Sequence, residues 1–254
     1  MAVMLILVDG MRPDSINMSE TAQTLRKEMA YTLEGSTVYP SVTLPCHVSL
    51  VTSNEPDVHG TTTNVFVPWP ESVSGLFEVL AKNRKKTGFF YNWEELRDLA
   101  LPGSISHTAY YKPSDFPDGR TNDLCARDAA EYWSEEKPDF MFLYLGNVDY
   151  VGHAFGWMSD AYVKAVEQSW RIIRDMKEIM LPDDTLIVTA DHGGHGYEHG
   201  SRMDSDMMIP LAVMTLGSEK YQIRKNASIM DIAPTITKLL RIVPDSSWKG
   251  ISLI

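Results

Sequence analysis

Three six-residue stretches constrain this chain more than any other feature: Val3-Met4-Leu5-Ile6-Leu7-Val8, Phe140-Met141-Phe142-Leu143-Tyr144-Leu145 and Thr185-Leu186-Ile187-Val188-Thr189-Ala190. A strand with one wet face alternates apolar and polar residues. These runs are continuous, so they predict strands buried on both faces of a parallel sheet. Each is followed by an acidic residue: Asp9 and Asp191 directly, Asp149 a few positions on. Between the runs, helical periodicity is read over Glu20 to Met29, Ser72 to Lys82, Asn122 to Trp133 and Asp160 to Met180. In the last of these Val163, Val166, Trp170, Ile173 and Met176 recur at three and four residues. Near the end, Ser228 with Asp231 three residues later predicts a capped helix through Leu240, and Pro234 is close enough to its start to be tolerated. Strands alternating with helices predict an α/β fold, a layered α/β/α sandwich with a mostly parallel central sheet. In such sheets ligands bind beyond the carboxyl ends of the strands, where these acidic residues gather.

A chain of 254 residues reads as one catalytic domain over residues 1–254, with a loop-rich, pocket-forming region at about 65–120. Turn signals there are Pro68-Trp69-Pro70, Pro102-Gly103, Pro113 and Pro117-Asp118-Gly119. The formal net charge of -11 argues against a nucleic acid polymer as partner. No apolar run approaches the ~20 residues of a membrane span, so no membrane partner is expected. Only Cys46 and Cys125 are present, with no paired spacing; they fit a reducing compartment, and the expected location is cytoplasmic.

The chemistry-bearing residues are concentrated. His192, His195 and His199 fall within eight residues, beside Asp191 and among Gly193, Gly194, Gly196 and Gly200. Glycine lets the backbone bend tightly enough for such imidazoles to converge on one ion, against the alternative of a solvated polar loop. Asp149 and His153 are four residues apart and share one side if the segment is helical. Carboxylate and imidazole donors without nearby thiolates suit zinc or manganese and disfavour a purely structural zinc; two clusters suggest two ions. On its own segment Thr43, two residues before Pro45, reads first as a helix N-cap. Its second reading is a nucleophile at the positive end of a helix dipole, activated by a divalent ion. Cys46 reads as a packed residue, since the adjacent His47 points elsewhere on a helix. Tyr91, Trp93 and Trp69 read as packing, with stacking on a base as the alternative.

Taken together, these features resemble the alkaline phosphatase superfamily, specifically its nucleotide pyrophosphatase/phosphodiesterase branch, over nearly the whole chain. Val8-Asp9-Gly10-Met11-Arg12-Pro13-Asp14 is similar to the first metal motif, Pro40 to His47 to the nucleophile segment, and Thr189-Ala190-Asp191-His192-Gly193 to the Asp-His metal motif. Asp149-Tyr150-Val151-Gly152-His153 resembles the Asp-x-x-x-His element, which cofactor-independent phosphoglycerate mutases share. Asp231-Ile232-Ala233-Pro234-Thr235 through Leu253 resembles the closing helix and strand.

The resemblance implies an alkaline-phosphatase-like fold and two divalent metal ions, zinc or alternatively manganese. One would be held by Asp9, Asp191, His192 and the Thr43 oxygen, the other by Asp149, His153 and His199, with His195 the rival for the last position. Asn64, following His59-Gly60, would bind a phosphoryl oxygen. The implied activity is hydrolysis of a small phosphorylated substrate, at a phosphodiester or pyrophosphate bond, through a phosphothreonine intermediate on Thr43. A phosphomonoesterase or phosphonate hydrolase is the alternative; a phosphomutase or a noncatalytic metal-binding protein ranks below. The mutases carry a substantial additional cap domain, whereas this sequence spends its length on the core. One departure is Cys46, where the diesterases commonly carry Asn. The sulfatases' Cys-x-Pro-x-Arg pattern is absent, so formylglycine chemistry is not expected.

Overall fold

A computed structural model describes residues 1–116, 119–218 and 220–254, so the Pro117-Asp118 part of the turn signals lies outside the described residues. In chain order the elements are β1 (Val3–Val8), α1 (Glu20–Leu25), β2 (Ala30–Ser36), α2 (Thr43–Thr52), α3 (Pro56–His59), α4 (Leu76–Lys82), β3 (Thr87–Tyr91) and β4 (His107–Tyr110). They continue with α5 (Thr121–Glu136), β5 (Phe140–Leu145), α6 (Asn147–Phe155), α7 (Asp160–Glu178), β6 (Thr185–Thr189), α8 (Asp204–Met207), β7 (Met208–Thr215) and α9 (Ile232–Leu239). The seven strands form one sheet in the order β2-β7-β6-β1-β5-β3-β4. Within it β1 pairs parallel with β5 and β6, and β3 pairs parallel with β4 and β5. Strand β7 runs antiparallel to both β6 and β2.

The three apolar runs become the central strands β6, β1 and β5, side by side and with every residue of each buried. Their two faces are covered by different helices. Phe77 of α4 packs against Phe89 and Phe140, and His47 of α2 packs against Phe142 and Tyr144. On the other face Tyr132 of α5 packs against Phe90 and His107. The period-2 alternation of a strand thus separates Phe89 from Phe90 and makes the continuous apolar run a requirement. The structure is the layered α/β fold with a mostly parallel central sheet.

Three helices are shorter than their periodicity predicts, α7 by only two residues at its end and two others by more. Helix α1 starts at Glu20 as expected, with Ser19 accepting the Ala22 N–H, but it ends at Leu25 and the next residues form turns. Helix α4 begins only after Gly75, with residues 72–74 outside it. Ser228 and Asp231 form the expected reciprocal capping box, opening a 3-10 turn (Ile229–Asp231) that leads into α9. The 65–120 region is not loop alone: β3 and β4 extend the sheet, and Tyr91 is buried between Phe89 and Tyr110 as a packing residue. Trp69 and Trp93 likewise pack partly buried against the core.

Because β7 returns antiparallel beside β6, the residues between them stay at the carboxyl end of β6, the end at which Asp9 leaves β1. Trp157 joins the segments there. Its indole N–H donates to the Gly10 carbonyl at 3.0 Å, and its ring stands edge-on to His153 at 4.9 Å. Gly152 must be glycine, since a Cβ there would lie 2.7 Å from the indole ring. Replacing Trp157 with Ala removes this joint and a buried aromatic side chain. We expect a loss of about 3–5 kcal/mol, read as a lower urea midpoint with an unchanged slope. Gly152→Ala should move the midpoint in the same direction.

Candidate active site

Asp9 follows the last residue of β1, Asp191 lies just past β6, and Asp149 sits in the first turn of α6, which opens two residues after β5 ends. The side-by-side strands therefore bring Asp9 together with carboxylates 140 and 182 residues further along the chain. Asp9 and Asp191 are almost wholly buried. Tyr144 donates its hydroxyl to Asp9 Oδ2, and Asp191 Oδ1 accepts the Gly10 and His192 N–H groups at 3.1 and 2.9 Å. Asp9 Oδ1, Asp149 Oδ1 and Asp191 Oδ2 are buried and have no hydrogen-bond donor. Gly10 has φ +69°, and a Cβ there would come within 3.0 Å of Asp149, so only glycine allows this approach.

Three imidazoles present the same face to these oxygens. Each donates its Nδ1–H to a backbone carbonyl: His192 to Gly193 at 2.8 Å, His153 to Tyr197 at 2.8 Å and His199 to Ser41 at 2.9 Å. That fixes the tautomer and leaves Nε2 with a free lone pair, as a metal-ligating histidine requires. His192 Nε2 is 3.4 Å from both Asp9 Oδ1 and Asp191 Oδ2; Asp149 Oδ2 is 3.5 Å from His153 Nε2, and Asp149 Oδ1 is 3.8 Å from His199 Nε2. The rings of His192 and His199 stack at 3.9 Å. Two ligand groups result, Asp9/Asp149/His192 and Asp149/His153/His199, with Asp149 in both. His195 is outside them: its Nδ1 bonds Asp206 Oδ1 at 2.8 Å.

Thr43 is not the helix cap. It is the first residue of α2, Val42 occupies the cap position, and no side chain caps from there. Instead Asn64 Oδ1 accepts the Leu44 N–H at 3.0 Å, so an exposed loop residue satisfies a free donor of the helix and keeps its own NH2 group for another partner. Thr43 Oγ1 is thereby released, and lies 3.2 Å from His192 Nε2. The structure thus brings Asp9, Thr43, Asp149, His153, Asp191, His192 and His199 to one place and ties Asn64 to the same helix end.

Sequence reasoning missed Tyr144, Trp157 and His47 as parts of this place. His47 donates Nδ1–H to the Thr43 carbonyl at 2.8 Å and stands 3.6 Å from Asp191 Oδ2. Their types carry no local signal: Tyr144 on an apolar strand and His47 on an apolar helix read as core, and Trp157 lies in a turn with no periodicity to place it. Cys46 is buried with its thiol beside Thr37, and burial, then the Asp191 charge, push it well above the ordinary thiol range. It packs and does not attack.

Burial and proximity set the charges. Desolvation, then the Asp191 and Asp149 charges, hold Asp9 well above the usual carboxylate range, and burial raises Asp191 as well. Burial and the neighbouring His192 lower His199 to about 4, and burial lowers His192. Neutral imidazoles beside crowded carboxylates with unpartnered oxygens fit divalent cations.

The sequence pattern of the Metalloenzyme superfamily matches residues 106–244, more than half of the chain. This chain belongs to the metalloenzyme superfamily. That stretch contains Asp149, His153, Asp191, His192 and His199; the pattern of the Type I phosphodiesterase / nucleotide pyrophosphatase family matches residues 3–93, which contain Asp9, Thr43 and Asn64. A 2,3-bisphosphoglycerate-independent phosphoglycerate mutase of Clostridium botulinum is 30% identical over 129 residues, 49% of this chain and 25% of that protein. Human ectonucleotide pyrophosphatase/phosphodiesterase family member 1 is 25% identical over 215 residues, 75% of this chain and 23% of that protein. The chain thus spans about a quarter of the length of these curated relatives. In fold it is similar to murine ectonucleotide pyrophosphatase/phosphodiesterase 5 in complex with AMP, with a TM-score of 0.77, 14% identity and 96% of both chains covered. Among the described residues no helix is long and apolar enough to cross a membrane.

Because the folded state raises the Asp9 pKa, its contribution to ion-free stability is fullest at acid pH and declines as pH rises through the raised value. At pH 7.5 the Asp9→Asn protein should unfold at least roughly 2 °C above wild type when both are ion-free, the shift about 1 kcal/mol produces in a chain of this size. Divalent ions should stabilise wild type and shift the variant's melting curve by less, because the Asp149/His153/His199 group is untouched.

Proposed function

We propose that the protein hydrolyses phosphodiester or pyrophosphate bonds of a small substrate with Thr43 as nucleophile. The observation that carries this reading is the Thr43 hydroxyl, freed from helix capping and set 3.2 Å from His192 Nε2 beside unpartnered carboxylate oxygens. We assign one cation to Asp9, Asp191, His192 and the Thr43 oxygen, and a second to Asp149, His153 and His199. When bound there, such cations, zinc or manganese, would neutralise the carboxylates that otherwise repel an anionic ester and would lower the pKa of oxygen nucleophiles.

The chain's own groups do the rest. The start of α2 presents Thr43 at the positive end of the helix dipole, where an attacking oxyanion is favoured. His47 holds the Thr43 carbonyl and so fixes the turn that carries the hydroxyl. The Asn64 amide NH2 donates to a nonbridging phosphoryl oxygen, the kind of preorganised contact that supplies a few kcal/mol in the transition state. The Thr43 hydroxyl gives up its proton to solvent, and its oxygen bonds to phosphorus as the leaving-group oxygen departs with its bonding electrons and takes up a proton. Water then attacks phosphorus, the bond from phosphorus to the Thr43 oxygen breaks, and one proton of that water returns to the threonine.

A phosphoryl-transfer reading of mutase type is favoured by the 30% identity over half of the chain. Rates on a bis-aryl phosphate diester and the matching aryl monoester separate the readings. The diester should be preferred, and Thr43→Ala should lower its turnover by about a thousandfold or more while ion content is retained. A monoester preference sinks the diesterase assignment, and full activity of Thr43→Ala sinks the nucleophile. Ion-loaded wild type inert on both esters shifts the case to the mutase reading.

A further inference from the structure

The segment between β6 and β7 carries three histidines, and His195 has no place in the ligand groups described above. It leads instead to Asp206, a carboxylate with no exposed surface in the short helix α8. A carboxylate removed from water must be saturated by donors. Asp206 Oδ1 accepts His195 Nδ1–H at 2.8 Å and the Ser205 hydroxyl at 3.2 Å; Oδ2 accepts the Ser201 N–H at 2.9 Å. The backbone of the same turn takes two more donors, with the Asp206 and Ser205 carbonyls accepting the Gly193 and Gly194 N–H groups at 2.9 and 2.8 Å.

These bonds bracket His199. Gly193 directly follows His192, His195 and Ser201 lie on either side of His199, and His195 closes a tight turn with Glu198 by two backbone bonds of 2.8 and 2.9 Å. Ser201 passes the constraint on, since its carbonyl accepts the Ser41 hydroxyl at 2.8 Å, while His199 donates to the Ser41 carbonyl. We propose that Asp206, with His195 as its partner, is the positioning residue that sets the His199 ring against His192 and Asp149. His195, a rival for the ion by sequence, thus serves the site by holding a carboxylate. The inference rests on the two-cation reading above.

The test is ion binding, read without turnover. Ion-free wild type, Asp206→Ala, His195→Ala and His195→Asn are titrated with zinc, and the ion-free unfolding midpoint of each is measured. Wild type should take up two ions. Both alanine variants should bind one of them about 10–100-fold more weakly, the usual effect of losing a partner that orients a metal ligand, and the other unchanged. His195→Asn, whose amide can still donate to Asp206, should recover most of the loss. His195 is partly exposed, so its alanine variant carries the test if Asp206→Ala does not fold. Variants that bind both ions as wild type does overturn the inference alone. Equal weakening of both ions together with a lowered ion-free midpoint also overturns it, in favour of general support of the fold. Wild type that takes up fewer than two ions overturns the two-cation reading and this inference with it.

Discussion

Like charges crowded out of water are the constraint around which this molecule is organised. Strands β6, β1 and β5 lie side by side, so their carboxyl ends bring Asp191, Asp9 and Asp149 into one place, the first two almost fully buried. Each ionised carboxylate there costs free energy through lost hydration and again through its neighbours. The protein offsets part of this with Tyr144, the Gly10 N–H and the His192 N–H, and leaves one oxygen of each carboxylate without a donor. A site left unbalanced in this way stores affinity for cations, and the same imbalance makes the ion-free protein sensitive to pH.

The imidazoles complete the arrangement by a uniform device. His153 comes from a helix and His192 and His199 from the segment between β6 and β7, yet each spends Nδ1–H on a backbone carbonyl and aims Nε2 inward. Backbone carbonyls are rigid and uncharged, so they fix ring and tautomer without adding a fourth negative charge to the site. His195 bonds a carboxylate instead, and it stands outside the ligand groups.

Thr43 shows how a neighbour can change a residue's role. A threonine at the start of a helix ordinarily caps it. Here the cap position falls to Val42, whose side chain has no polar atom, and Asn64 from a separate loop takes the Leu44 N–H. With that donor satisfied, the hydroxyl turns toward His192. A fold of this type hosts several phosphoryl and sulfuryl chemistries, so such local choices decide the reaction more than the sheet does.

The sequence by itself determined the buried strands, the acidic residues at their ends, the Ser228/Asp231 cap and the glycine-rich histidine segment, because these depend on neighbours within a few positions. Val3–Val8 and Phe140–Leu145 are strands at the boundaries their apolar runs indicate. The resemblance of the ordered motifs added an expected grouping of metal ligands, with Asp191 beside Asp9 and His192, where the geometry groups Asp149 with those two residues. Only the tertiary structure decided that β7 runs antiparallel and keeps the histidine loop beside Asp9, that His199 and not His195 meets Asp149, and that Asn64 frees Thr43. It alone disclosed Tyr144, Trp157 and His47 as parts of the site. Each of those outcomes rests on contacts between groups brought together by packing or by hydrogen bonds to particular carbonyls, and local periodicity records neither.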